Sequence, residues 1–215
     1  MKLAKFFSRF AIGMVLAFSS LQAPAQTSFW QQTNGPLGAT ITAVAVNQTN
    51  GNVFAAAQDV GMIRSTNRGA SWSVSNGGLT SNEIRALLVN ANGHIFAGTA
   101  QGVFRSTDNG TTWAAINNGL PNVRSIYALA VNSSGDIWAG LSSAGSGVYR
   151  SADNGGNWTK ASTGLTDTVV VALATNARGD MFAGTSGNGV FRAQLATGVQ
   201  ETANAIPAAF VLAQN

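Results

Sequence analysis

Residues 106–113 read Ser-Thr-Asp-Asn-Gly-Thr-Thr-Trp, and residues 151–158 read Ser-Ala-Asp-Asn-Gly-Gly-Asn-Trp. Both fit the pattern S-x-D-x-G-x-x-W. Residues 65–72, Ser-Thr-Asn-Arg-Gly-Ala-Ser-Trp, repeat it with Asn67 in the Asp position. The pattern is a turn with its own chemistry. Asp108 and Asp153 each place a short acceptor where it can take backbone N–H groups of the same turn, and Asn67 keeps a carbonyl for the same purpose. Gly69, Gly110 and Gly155 supply a backbone conformation that L-residues avoid. Trp72, Trp113 and Trp158 then offer large rings for burial between neighbouring sheets. Ser65, Ser106 and Ser151 open the three copies.

Working outward, each turn closes a larger repeat. Units begin at Ala43, Ala86, Ala128 and Ala172, so successive starts lie 43, 42 and 44 residues apart. This period matches four-stranded propeller blades. In the second unit, residues 84–90 form a first strand, Asn92-Gly93 a tight turn, Ile95-Phe96-Ala97 a second strand and Gly102-Val103-Phe104-Arg105 a third. Short β-rich runs with turn residues every 8–12 positions, and no helical periodicity between residues 40 and 195, predict an all-β protein.

The repeated turn resembles the Asp box of the sialidase-type (BNR-repeat) β-propeller family of exported bacterial proteins. The resemblance implies a β-propeller of four-stranded antiparallel blades, about four of them, over residues 26–196. The fourth unit has no S-x-D-x-G-x-x-W turn. Residues 30–37, Trp-Gln-Gln-Thr-Asn-Gly-Pro-Leu, match the segments that begin at Trp72, Trp113 and Trp158. The N-terminal strand is therefore expected to complete the last blade and hide two open edges.

The ends of the chain carry addresses rather than fold. Lys2, Lys5 and Arg9 precede an apolar run from Phe10 to Phe18 and an Ala23-Pro24-Ala25 site, the pattern of a secretory signal peptide over residues 1–25. The apolar run is too short to remain as a transmembrane helix. Residues 197–215 read as a linker. Within it, Ile206-Pro207, Phe210, Leu212 and Gln214-Asn215 resemble the segment just before the C-terminal sorting domain of Bacteroidetes-type (type IX) secreted proteins. The resemblance implies a secreted or outer-surface location and a missing sorting domain that would meet the secretion machinery.

Composition narrows the chemistry. The formal charge is +4, and without the first 25 residues nine basic side chains face eight acidic ones. That balance supplies no basic patch for nucleic acid. No Cys and a single His exclude thiolate catalysis, disulfides and clustered metal ligation, so neither cofactor nor metal is expected.

Propeller ligands bind where the second-to-third-strand loops meet the loops that lead into the next blade. Asp59, Glu83, Arg85, Gln101, Arg124, Tyr127 and Asp167 fall on those loops and are the candidate ligand-binding residues. Arg64, Arg105, Arg150 and Arg192 recur at one position of every unit, a pattern of repeated packing. Catalytic residues are not assigned. The sialidase family uses three arginines, a Glu-activated Tyr, an Asp and an Arg-Ile-Pro motif. This sequence has two Tyr, two Glu and no Arg-Ile-Pro. The reading is a non-catalytic binding or scaffold propeller that recognises an extracellular protein or glycan. The alternative is a sialidase- or xyloglucanase-like glycosidase, or a lectin-like domain.

Overall fold

The structure, a computed structural model, describes residues 29–122 and 124–193. The signal peptide and the 197–215 linker lie outside these residues. The chain divides into Met1–Gln32 and Thr33–Asn215. In the described part of the first unit, Phe29 and Trp30 stand edge to face with ring centroids 5.5 Å apart.

The second unit is all-β. Blade one contains β1 (Ile41–Val46), β2 (Val53–Ala57), β3 (Gly61–Ser65) and β4 (Ser73–Val74). Blade two contains β5 (Ile84–Val89), β6 (Ile95–Thr99), β7 (Gly102–Ser106) and β8 (Ala114–Ala115). Blade three contains β9 (Ile126–Val131), β10 (Ile137–Leu141), β11 (Val148–Ser151) and β12 (Thr159–Lys160). Blade four has only β13 (Val170–Thr175), β14 (Met181–Thr185) and β15 (Val190–Ala193). Every sheet is an antiparallel meander in sequence order. The innermost strands β1, β5, β9 and β13 pack one on the next, and no comparable packing joins β13 to β1 among the described residues.

The four-blade propeller architecture is as expected, with one correction. Among the described residues no N-terminal strand pairs with β15. Residues 33–37 lie instead on the first blade, where the Asn34 amide donates to Gly69 O (3.2 Å) and its Nδ2 donates to Ala70 O (3.0 Å). The sequence match to the later Trp segments reflects this seat. Residues 33–37 meet the turn of blade one as Ser75–Gly77 meet that of blade two, where the Trp113 amide donates to Gly77 O (2.8 Å).

The core lies between blades. Phe54, Ala56 and Met62 of blade one pack with Ile95, Ala97 and Trp113 of blade two. Phe96 and Val103 of blade two pack with Ile137, Ala139 and Trp158 of blade three. Each fully buried large apolar side chain contributes about 1.5–3 kcal/mol. Phe54, Phe96 and Trp138 are equivalent and buried, but Phe182 at the same place in blade four is only half-buried, since no further blade packs on it among the described residues.

The repeated turns close as their composition dictates. Asp108 Oδ1 accepts from Ser106 Oγ and the Thr112 amide, and Ser106 Oγ accepts from the Gly110 amide. Asp153 repeats this with Ser151 and Asn157, while Asn67 does so with Ser65 and Ser71. Hydrogen bonds from Thr112 to Asp108, and from Asn157 to Asp153, hold both carboxyls at a pKa of about 2. Gly69, Gly110 and Gly155 all have φ between 82° and 90°.

The two inner interfaces are tied in both directions. Trp113 Nε1 donates back to Ser75 O (2.8 Å), and Trp158 Nε1 donates back to Ile116 O (2.7 Å). Arg64 Nη1 donates forward to Asn109 O, and Arg105 Nη1 to Asn154 O, each at 2.7 Å. Blade four presents no such turn, so Arg150 pairs with Asp136 of its own blade (2.7 Å) and Arg192 is exposed. The recurring arginines are therefore packing elements in the first two blades.

Candidate functional site

One irregularity recurs in every innermost strand. Register slips between Ile41 and Ala43, between Ile84 and Ala86, and between Val170 and Ala172. In blade three Ile126 faces Leu141 while Ala128 faces Gly140. One residue is extra in each case: Thr42, Arg85, Tyr127 and Val171. Such bulges re-aim a side chain at a rim. The flanking residues hardly change (Ile-x-Ala three times, Val-x-Ala once), whereas the bulged residue differs in all four blades. A repeated frame thus presents four unlike side chains at one end of the inner strands.

Two of them meet. The Arg85 guanidinium lies over the Tyr127 ring, 4.6 Å from its centroid. Arg85 Nη2 pairs with Glu83 Oε1 at 3.1 Å, and its Nη1 donates to Ser125 Oγ. Tyr127 remains 38% exposed and Glu83 is exposed, so the cluster offers an aromatic ring, a fixed cation and an anion to solvent. A cation over an aromatic face is worth about 0.5–1 kcal/mol at such a surface.

Beside it runs an open groove whose lining includes Thr80, Gln101, Asn117, Asn122 and Arg124, with a volume of about 450 Å³. Arg124 Nε donates to Gln101 O (3.0 Å), its Nη1 donates to Pro121 O (3.1 Å), and Thr80 Oγ1 donates to Gln101 Oε1 (2.8 Å). Amides, a hydroxyl and a guanidinium line it.

The expected residues therefore fall into separate places. Glu83, Arg85 and Tyr127 form one cluster, and Gln101 with Arg124 forms the groove. Asp59 stands exposed at the β2–β3 turn with φ +64°. Asp167 ties its loop to the β14–β15 loop: Oδ1 accepts from the Val169 amide (2.9 Å) and Oδ2 from the Gly187 amide (2.8 Å). Those amides lower its pKa, which keeps it ionised rather than available as an acid. Ser125, Thr80 and Asn117 were not singled out from sequence. Ser125 had a signal, since Ser-Ile-Tyr repeats the place of Glu-Ile-Arg. No group of three or more metal-ligating side chains occurs among the described residues.

A family model described as "DUF6242 beta propeller domain" matches residues 24–205. No curated protein matches the chain. An ancestral GH74 enzyme is similar at 27% identity and a TM-score of 0.60, over 76% of this chain and 24% of that one. The extracellular domain assigned to a one component system of B. thetaiotaomicron is similar at 16% identity and a TM-score of 0.59, over 73% and 21%. YCF48 bound to D1 peptide is similar at 18% identity and a TM-score of 0.53, over 73% and 49%. The chain thus spans between a fifth and a half of the length of these proteins.

Proposed function

The chain belongs to the DUF6242 β-propeller domain family, and on that premise we propose that it is a secreted or cell-surface Asp-box propeller that binds an extracellular protein or glycan and catalyses nothing. The bulged pair Arg85 and Tyr127 carries this reading. Four equivalent frames hold four different side chains, which is how a repeated scaffold builds a binding face rather than a structural one. The Arg85–Tyr127–Glu83 cluster and the Gln101–Arg124 groove supply stacking surface, donors and acceptors. Glu83 is the only carboxylate of that cluster among the described residues, and it is tied to Arg85, whereas retaining or inverting glycosidases use two facing carboxylates. The signal-like residues 1–25 and the sorting-like segment 206–215 support export.

Residues 26–215 would be tested against immobilised xyloglucan and sialylated oligosaccharides, scoring both binding and release of sugar. Binding without release, lost in Arg85→Ala and Tyr127→Ala, supports the proposal. Release of sugar by the unsubstituted chain replaces it with the glycosidase alternative.

A further inference from the structure

At the interface of blades two and three, Trp158 fills the space walled by Phe96, Val103, Leu120 and Tyr149. One repeat further on, the equivalent walls are Trp138, Val148, Leu165 and Phe191, and they line an open slot of about 120 Å³. Among the described residues no tryptophan fills it. Blade four has no S-x-D-x-G-x-x-W turn, and residues 194–215 contain no Trp. An apolar cavity of about 150 Å³ is enough to take up benzene, so the slot is on the scale of an aromatic side chain.

Three further observations give the slot a direction. At the inner interfaces the incoming indole and its own amide donate to carbonyls two residues apart: Ser75 and Gly77 for Trp113, Ile116 and Asn118 for Trp158. The equivalent carbonyls here are Ala161 and Thr163. Both residues line the slot, and neither carbonyl meets a donor among the described residues. Among the described residues the edge of β15 beside them lacks the partner that β4, β8 and β12 provide in the other blades. Trp138, which lines the slot and is 3% exposed, has an Nε1 proton that meets no acceptor among the described residues.

We propose that this slot is a docking site for an extended, tryptophan-bearing segment of a partner protein. The segment adds a fourth strand to β15 and inserts its indole between blades three and four. Its indole N–H donates to Ala161 O and its tryptophan amide to Thr163 O. This is strand addition to a sheet edge with one aromatic anchor setting the register. It is a site separate from the bulged cluster and does not depend on that reading.

The probe is a peptide that already performs this task in the chain: acetyl-Gly-Asn-Trp-Thr-Lys-Ala-Ser-Thr-amide, the sequence of residues 156–163. Binding to the full chain would be followed by calorimetry, together with the indole N–H resonances of the protein. Expected are saturable binding, at least tenfold weaker binding when the peptide Trp is Ala, and a shift of the Trp138 signal with those of Trp113 and Trp158 unmoved. Ala193→Phe, which fills the slot from β15, should abolish binding. Because the resonance test uses the unsubstituted protein, it decides the matter even if that variant does not fold. Absence of binding at millimolar peptide, equal binding of the Ala peptide, or an unmoved Trp138 signal overturns the proposal.

Discussion

Alanine at Gly78, Gly119 and Gly164 forms a matched series that tests how the blades are held. All three precede Leu in equivalent turns and have φ of +88° or +89°. A β-carbon on Gly78 would run into Trp113 O, and one on Gly119 into Trp158 O, whereas one on Gly164 meets nothing within 4 Å. The left-handed backbone costs an L-residue about 1–2 kcal/mol, offset by about 0.4–1 kcal/mol from the stiffer unfolded chain. Gly164→Ala should therefore lose about 1 kcal/mol. At Gly78 and Gly119 the struck atom is backbone, so the blades must part, which adds about 1–3 kcal/mol for a total near 2–4 kcal/mol. At this chain length each kcal/mol lowers Tm by about 2–4 °C. Urea unfolding followed by tryptophan fluorescence gives the three values directly. If Gly164→Ala costs as much as Gly119→Ala, the interfaces are not held by the close approach of turn and tryptophan backbone, and the slot is not empty.

Other consequences can be measured in the same way. Trp158→Phe keeps an aromatic ring but loses the pyrrole half of the indole with the proton given to Ile116 O, and should cost at least about 1–3 kcal/mol through the carbonyl left behind. Asp108 and Asp153 have folded pKa values of about 2 against an ordinary 3.8, so their contribution is complete above pH 3.8 and is lost as pH falls through 2. The double variant Asp108→Asn, Asp153→Asn should flatten acid unfolding across that window, and a steep limb between pH 4 and 2 in the variant would contradict it. Asn67 already serves this role in the first turn, so the single variant Asp108→Asn should change stability at pH 7 by less than about 1 kcal/mol. Arg85→Ala should leave Tm within about 2 °C while abolishing binding, because its ion pair and stacking are at the surface.

Much of this fold was legible because its information is periodic. The spacing of Ala43, Ala86, Ala128 and Ala172 located the blades, and the S-x-D-x-G-x-x-W turns located the third-to-fourth-strand hairpins to the residue. Where periodicity ends, the reading lost its hold. Residues 30–37 carry the tryptophan-segment pattern, but that pattern encodes both pairing with a third strand and a seat on the next blade's turn. Among the described residues only the second is realised, at Asn34 and Gly69. The bulges at Thr42, Arg85, Tyr127 and Val171 were invisible because one extra residue leaves strand composition unchanged. The unvarying Ile-x-Ala frame around a changing centre was the trace they left. Asp167 lies on a candidate ligand loop by sequence, and the sequence does not reveal that its carboxylate also accepts amides from Val169 and from Gly187 of the β14–β15 loop.

The paired ties between blades grade the molecule along its length. The first two seams each carry a backward indole bond and a forward guanidinium bond, and the third carries neither of these. In a quasi-one-dimensional stack, opening begins at the weakest nearest-neighbour coupling. The domain is therefore expected to unzip from its C-terminal end. Amides of β13–β15 should exchange with solvent first, a pulling force should peel the last blade before it disturbs the others, and anything that seats in the open slot would act as a clasp that makes the stack cooperative from end to end.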